Sequence, residues 1–294
     1  MAEREIDEAT GVETVGHEWD GIKELNNPLP RWWLWTFYAT IIFSIGYIIY
    51  YPAIPLFEAS TPGISGQTNR LALKVEMAEA SAAKAGMFEK ISKSTLETIR
   101  NDDELSRFAV AGGHSAFKVY CSQCHGSGAQ GGPGYPNLND DDWLWGGDLN
   151  AIYLSIKHGI RNDENDDARD SQMPSFGGDE ILNKEEIAQV TQYVLQVSGQ
   201  DHDAELAQLG DEIYSDNCAA CHGNNAAGDR EIGAPNLADA ISLYGNNAEL
   251  ISTQIARPQH GVMPAWQGRL SDETIKQLAV YVHNLGGGEE EVAE

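Results

Sequence analysis

The chain has 294 residues, enough for two or three small domains rather than one large core. Lys and Arg total 19 against 45 Asp and Glu, a formal charge of −26, which excludes nucleic-acid binding through a basic footprint. Such a charge either steers a basic protein partner in a salt-dependent way or simply keeps the chain soluble. All four cysteines fall in two C-x-x-C-H runs, so none is left for a disulfide framework.

Residues 1–30 are polar and acidic, with turn signals at Asn26, Asn27, Pro28 and Pro30. From Trp32 to Phe57 no charged residue occurs, and Arg31 and Glu58 bound the run. About 20 apolar residues span a bilayer, so residues 31–57 are expected to form one transmembrane helix, ended by Pro52 and Pro55. Trp32, Trp33 and Trp35 at one end and Tyr47, Tyr50 and Tyr51 at the other suit the two interfaces. A cleaved signal peptide is the main rival. The run starts too late for one, follows an acidic stretch and lacks a small-x-small site.

Residues 58–106 read as a spacer and docking segment without chemistry: a Pro/Gly/Ser/Thr-rich linker, then helical stretches from Arg70 to Lys90 and on to about Leu105. The remainder is an internal repeat. Cys121, Cys124 and His125 recur as Cys218, Cys221 and His222; Pro136, Asn137 and Leu138 as Pro235, Asn236 and Leu237. His158-Gly159 recurs as His260-Gly261, and Met173-Pro174 as Met263-Pro264. The expected domains are 107–200 and 203–287, followed by an acidic tail, 288–294. The first repeat carries an extra acidic insertion, Arg161 to Asp170.

Each repeat closes with an amphipathic helix. One has Asn183 and Glu186 as a capping box and Ile187, Val190, Val194 and Val197 on one face. The other is capped by Ser271, carries Ile275, Leu278, Val282 and Leu285, and stops at Gly286. Gly113 and Gly210, in the helical patterns before the C-x-x-C-H runs, either allow close helix approach, with Tyr193 and Tyr281 as facing residues, or only end a turn. The fold class expected is all-α: one N-terminal transmembrane helix and two tandem class I cytochrome c domains.

C-x-x-C-H is the attachment signature of c-type haem: two thiols reach the vinyl groups and the adjacent histidine binds iron. Two covalent haem c groups are therefore expected, on Cys121 and Cys124 and on Cys218 and Cys221. A thioredoxin-like site lacks its βαβ context, and one zinc site built from both motifs is the remaining alternative. For the axial ligands, the order of the chain pairs His125 with Met173 and His222 with Met263. Thioether ligation raises the potential and suits electron transfer. His158 and His260 are the competing sixth ligands, and a methionine can also be a plain core filler. Trp143, Trp145 and Trp266 are expected to wall the pockets; Arg257 faces a propionate or solvent. His17, His114, His202 and His283 have no repeat partner. No nucleophile elbow, P-loop or dinucleotide fingerprint is present, so catalytic residues are none and the chain itself passes electrons. Haem attachment takes place outside the cytoplasm, which puts the N-terminus inside.

The run DGIKELNNPLPRWWLW from Asp20 to Trp35, ahead of a single span, resembles the dihaem subunit (subunit III) of cbb3-type cytochrome c oxidases. So does CSQCHGSGAQGGPGYPNLNDDDWLWGG from Cys121 to Gly147, with NCAACHG from Asn217 and GAPNL from Gly233. The resemblance covers most of 18–286 and leaves the 161–170 insertion and the tail unplaced. It implies an electron-transfer subunit of a proton-pumping, oxygen-reducing terminal oxidase in a bacterial inner membrane, with periplasmic haem domains. Electrons would come from a donor cytochrome c and leave to a monohaem subunit and the haem-copper catalytic subunit. A stand-alone anchored dihaem shuttle is the runner-up, and a dihaem peroxidase or gas sensor the second alternative.

Overall fold

The computed structural model describes residues 5–239 and 241–290. Met1 to Arg4, at the head of the N-terminal segment, and 291–294, most of the expected acidic tail, lie outside the described residues. The chain divides into two compact units, Met1–Ala83 and Lys84–Glu294.

In the first unit, strands β1 (Thr14–Trp19) and β2 (Ile22–Leu25) pair antiparallel with Glu18 opposite Lys23 and Trp19 opposite Ile22. This small sheet is an addition to the all-α expectation. Asp20 and Gly21, both with positive φ, make the tight turn, the signature that an Asp-Gly pair between two strand-like runs provides. Helix α1 (Arg31–Tyr50) is 20 residues long, about 30 Å, and has no buried residue. Beyond Arg31 it has no charge, and it is long and apolar enough to cross a membrane. Its hydroxyls are turned inward: Thr36, Thr40 and Ser44 donate to the carbonyls of Trp32, Phe37 and Thr40. The helix stops at Tyr50, because Tyr51 turns extended ahead of Pro52, the first of the two prolines expected to end it. The N–H groups of Ile64 and Ser65 satisfy the carbonyls of Ile49 and Tyr50 (3.0 and 2.9 Å).

Helix α2 (Asn69–Lys93) leads into the second unit, which holds α3 (Leu96–Asn101), α4 (Asp103–Tyr120), α5 (Ser122–His125), α6 (Leu149–His158), α7 (Lys184–Val197), α8 (Ala204–Asn217), α9 (Ala219–His222), α10 (Ala248–Ala256) and α11 (Asp272–His283). The caps follow the expected chemistry. Asn183 and Glu186 form the capping box on α7, and Ser271 caps α11. Within the segment expected to serve as spacer and docking element, Ile91, Leu96, Ile99 and Leu105 are buried in a core.

Two cores exist, and the closing helices are exchanged between them. α4 packs on α11 and α6 on α11, while α7 packs on α8 and α10. The helices therefore do not close within the contiguous segments 107–200 and 203–287. The short connection 198–203 folds α7 back onto α8 as a helical hairpin, leaving α4 to be covered by the last helix. One core gathers Ile99, Phe117, Leu149 and Ile152 with Ile275 and Leu278; the other gathers Phe176, Ile187 and Val190 with Tyr214 and Ile255.

Candidate haem sites

Both C-x-x-C-H motifs sit on a one-turn helix that follows a long one. Cys121 and Cys218 are the C-terminal residues capping α4 and α8, and α5 and α9 carry the second cysteine and the histidine. Cys124 and Cys221 are exposed, and none of the four thiols is bonded to another. Burial pushes the Cys121 and Cys218 thiols up to about 11, so both are neutral at pH 7.

The histidines are oriented alike. His125 Nδ1 lies 3.1 Å from Pro136 O, and His222 Nδ1 lies 3.0 Å from Pro235 O. A carbonyl only accepts, so Nδ1 donates and the lone pair rests on Nε2, the atom free to bind iron. Burial lowers both imidazole pKa values and favours this neutral form. The loops that deliver the two prolines match bond for bond. Leu138 N donates to Ala129 O (2.8 Å) and Leu237 N to Ala226 O (2.7 Å). Gly131 N and Gly228 N donate to the carbonyls of His125 and His222. The Pro-Asn-Leu repeat is visible in the sequence; the role of its proline carbonyl is not.

The methionines fall the other way round from sequence order. Met263 packs against the core that holds Cys121 and Leu138, and Met173 against the core that holds Cys218 and Leu237. The backbone fixes this crossing. Met263 exchanges two 3.0 Å hydrogen bonds with Ile160, and Trp266 N and Gln267 N donate to Ile156 O and Lys157 O at the end of α6. Ser175 Oγ, Gly177 N and Gly178 N all donate to Ala256 O at the end of α10. Each Met-Pro strand is thus laid across the other repeat: Met263 packs with the core of the motif that carries His125 and Met173 with the core of the motif that carries His222, the reverse of the order along the chain.

His260 accepts the N–H of Met173 on Nε2 (3.0 Å), so its lone pair positions a methionine strand. His158 Nδ1 is 3.7 Å from Asp167, too far for a hydrogen bond. Trp143 and Trp266 pack on the first core. Trp145 instead lies over Gly233 in the second repeat, and Tyr244 lies over Gly134 in the first. Arg257 is exposed. His114 packs on Tyr281, and His283 is buried with Nε2 2.8 Å from Glu289 O.

The N-terminal residues 11–58 match the model of the N-terminal domain of cytochrome oxidase-cbb3, FixP; 110–198 match cytochrome c; 205–282 match cytochrome c oxidase, cbb3-type, subunit III. A cbb3-type cytochrome c oxidase subunit FixPc of Rhizobium leguminosarum bv. viciae is 54% identical over 288 residues, covering 98% of this chain and all of that protein. The chain belongs to the FixP/CcoP family of cbb3-type cytochrome c oxidase subunits. FixP of Rhizobium meliloti (strain 1021) is 54% identical over 97% of this chain and 98% of its own length. CcoP of Cereibacter sphaeroides is 50% identical over 94% of this chain and 95% of its own length. Membership carries covalently bound haem c with the cytochrome c domains, and the exposed thiols and pre-oriented imidazoles fit that group.

Proposed function

We propose that this FixP/CcoP-type chain binds two haem c groups and carries electrons from a donor cytochrome c toward the monohaem subunit and haem-copper centre of a cbb3-type oxidase. The supporting observation is the matched pair of pockets, each with an imidazole pinned through Nδ1 and the methionine of a Met-Pro step packed against its core. Cys121, Cys124, His125 and Met263 hold one haem; Cys218, Cys221, His222 and Met173 hold the other. The haem iron supplies reversible one-electron transfer. The chain's part is to fix imidazole direction, exclude water with the two apolar cores and close the sixth position with a thioether. That closure disfavours gas or peroxide chemistry.

Helix α1 anchors the chain in the bacterial inner membrane with the N-terminus inside and the haem region in the periplasm. Of the 19 basic and 45 acidic residues, 3 and 8 precede residue 58, leaving 16 and 37 beyond it, a surface suited to a basic donor. Purification through a tag on this chain tests the reading. Recovery with a multi-span haem-b subunit, a monohaem c subunit and oxygen uptake supports it. Recovery alone under mild detergent, with two six-coordinate haems and no oxygen uptake, favours a shuttle instead.

A further inference from the structure

In a chain with 45 acidic side chains, the two arginines of the 161–170 insertion form an ion pair with none of them among the described residues. Arg100, Arg230 and Arg269 have carboxylate partners, Glu290, Glu289 and Glu164. Arg161 and Arg169 are half-buried and, among the described residues, hydrogen-bond to carbonyls only, with Asp170 acting on Arg161 and Asp148 on Arg169 at longer range. Arg161 donates from Nε to Gly261 O (2.7 Å) and from Nη1 to Ser171 O (3.0 Å). Arg169 donates from Nη1 to Trp145 O (2.6 Å), with its guanidinium carbon 5.3 Å from the Trp145 ring. The backbone holds the two together, Arg161 N donating to Arg169 O at 2.7 Å.

Two further donors in the same segments are buried with no acceptor: Trp145 Nε1 and Asn162 Nδ2. Burying guanidinium groups and N–H donors without an anion is costly, and burial does lower both arginine pKa values. A donor-only cluster of this kind is matched by carboxylates. Its position says which ones. The carbonyls that Arg161 grips lie two residues before Met263 and two before Met173, and Trp145 stands in the loop that follows Leu138 of the first core. The group expected in that pocket carries two propionates.

The geometry points to Arg161, Arg169 and Trp145 as the cradle for the propionates of the haem on Cys121 and Cys124. The inference rests on the haem reading above. It accounts for the insertion, which brings two cations beside the first haem and ties them to both methionine strands. A cation there disfavours the extra positive charge of ferric iron, so the cradle raises that haem's potential.

The test uses the full-length chain in detergent. Haem content is measured first; two haems per chain secures the underlying reading independently of the cradle, and fewer sinks that reading itself. Potentiometric titration and resonance Raman spectra of the propionate bending bands then compare R169Q, R161Q and W145F, with the first haem assigned in a chain carrying Cys218→Ala and Cys221→Ala. The expected result is intact haem content, shifted propionate bands and a lowered potential of the first haem, largely restored in R169K. Exposed Arg257 serves as control, with R257Q silent. Should R169Q load haem poorly, W145F removes one N–H with little change in volume and carries the same test. Unchanged bands and potentials, a shift confined to the other haem, or an equal shift in R257Q would overturn the assignment.

Discussion

Tyr281 sets its Cβ directly against Gly113, so α11 closes on α4 at the core that holds Cys121. A Cβ at Gly113 would run into Tyr281 and the backbone of Gln277; one at Gly210 would meet Gln189 and Tyr193. G113A should therefore cost about 1–3 kcal/mol, the usual range for overpacking a tight contact. Thermal unfolding followed in the Soret band should show it. G86A, in a helix where nothing lies within 4 Å, should be neutral or slightly stabilising.

The crossing of the methionines gives a sharper expectation. In a chain retaining only the first haem, through Cys218→Ala and Cys221→Ala, M263L should free the sixth position. High-spin ferric spectra and rapid carbon monoxide binding would report it. M173L in the same background should leave the haem six-coordinate. The opposite pattern would restore the pairing by sequence order.

Glu289 ties three parts of the second unit together. It accepts from Gly147 N (2.9 Å), pairs with Arg230 (2.8 Å), and its own N–H donates to Gly147 O (2.9 Å). Trp143 Nε1 donates to Gly287 O at 2.6 Å beside it. E289A should leave the buried Gly147 N–H without its acceptor and cost about 1–3 kcal/mol. Removal of 288–294 should lower thermal stability further and speed proteolysis near Gly147.

The pKa of Asp142 is raised by burial first, then by Asp239 and Asp140, against a smaller pull from Arg230. A carboxyl with a folded pKa above its unfolded value binds its proton more tightly when folded. Its penalty is absent at low pH and grows as pH rises through the folded pKa. D142N should therefore raise the melting temperature at pH 7, and the gain should vanish below about pH 4. An undiminished gain at low pH would point to packing instead.

Much of this is legible in the sequence. The Pro-Asn-Leu and Met-Pro repeats mark both pockets, and the Asn183/Glu186 box and the Ile275–Val282 stripe appear as written. What the sequence does not assign is partnership. The periodicity of α4 and α7 says that each has an apolar face; two equivalent repeats offer that face two equivalent covers, and the length of the 198–203 connection decides between them. Trp145 escapes sequence reasoning for the same cause, since its ring lies over Gly233 of the other repeat. The β1–β2 turn, by contrast, has its signal in Asp20-Gly21, masked by the acidic stretch around it.

Exchange of the closing helices also sets an order of assembly. The α7–α8–α10 body is drawn from one continuous stretch, 184–256, whereas α4 must wait for α11, which begins only at Asp272. Loop-closure entropy makes that long-range contact the slow one. A nascent chain cut anywhere before Asp272 would lack the helix that packs on both α4 and α6, leaving their apolar faces open to solvent there. On the haem reading proposed above, synthesis through α11 thus doubles as quality control, because a chain that stops short of it leaves the first pocket open.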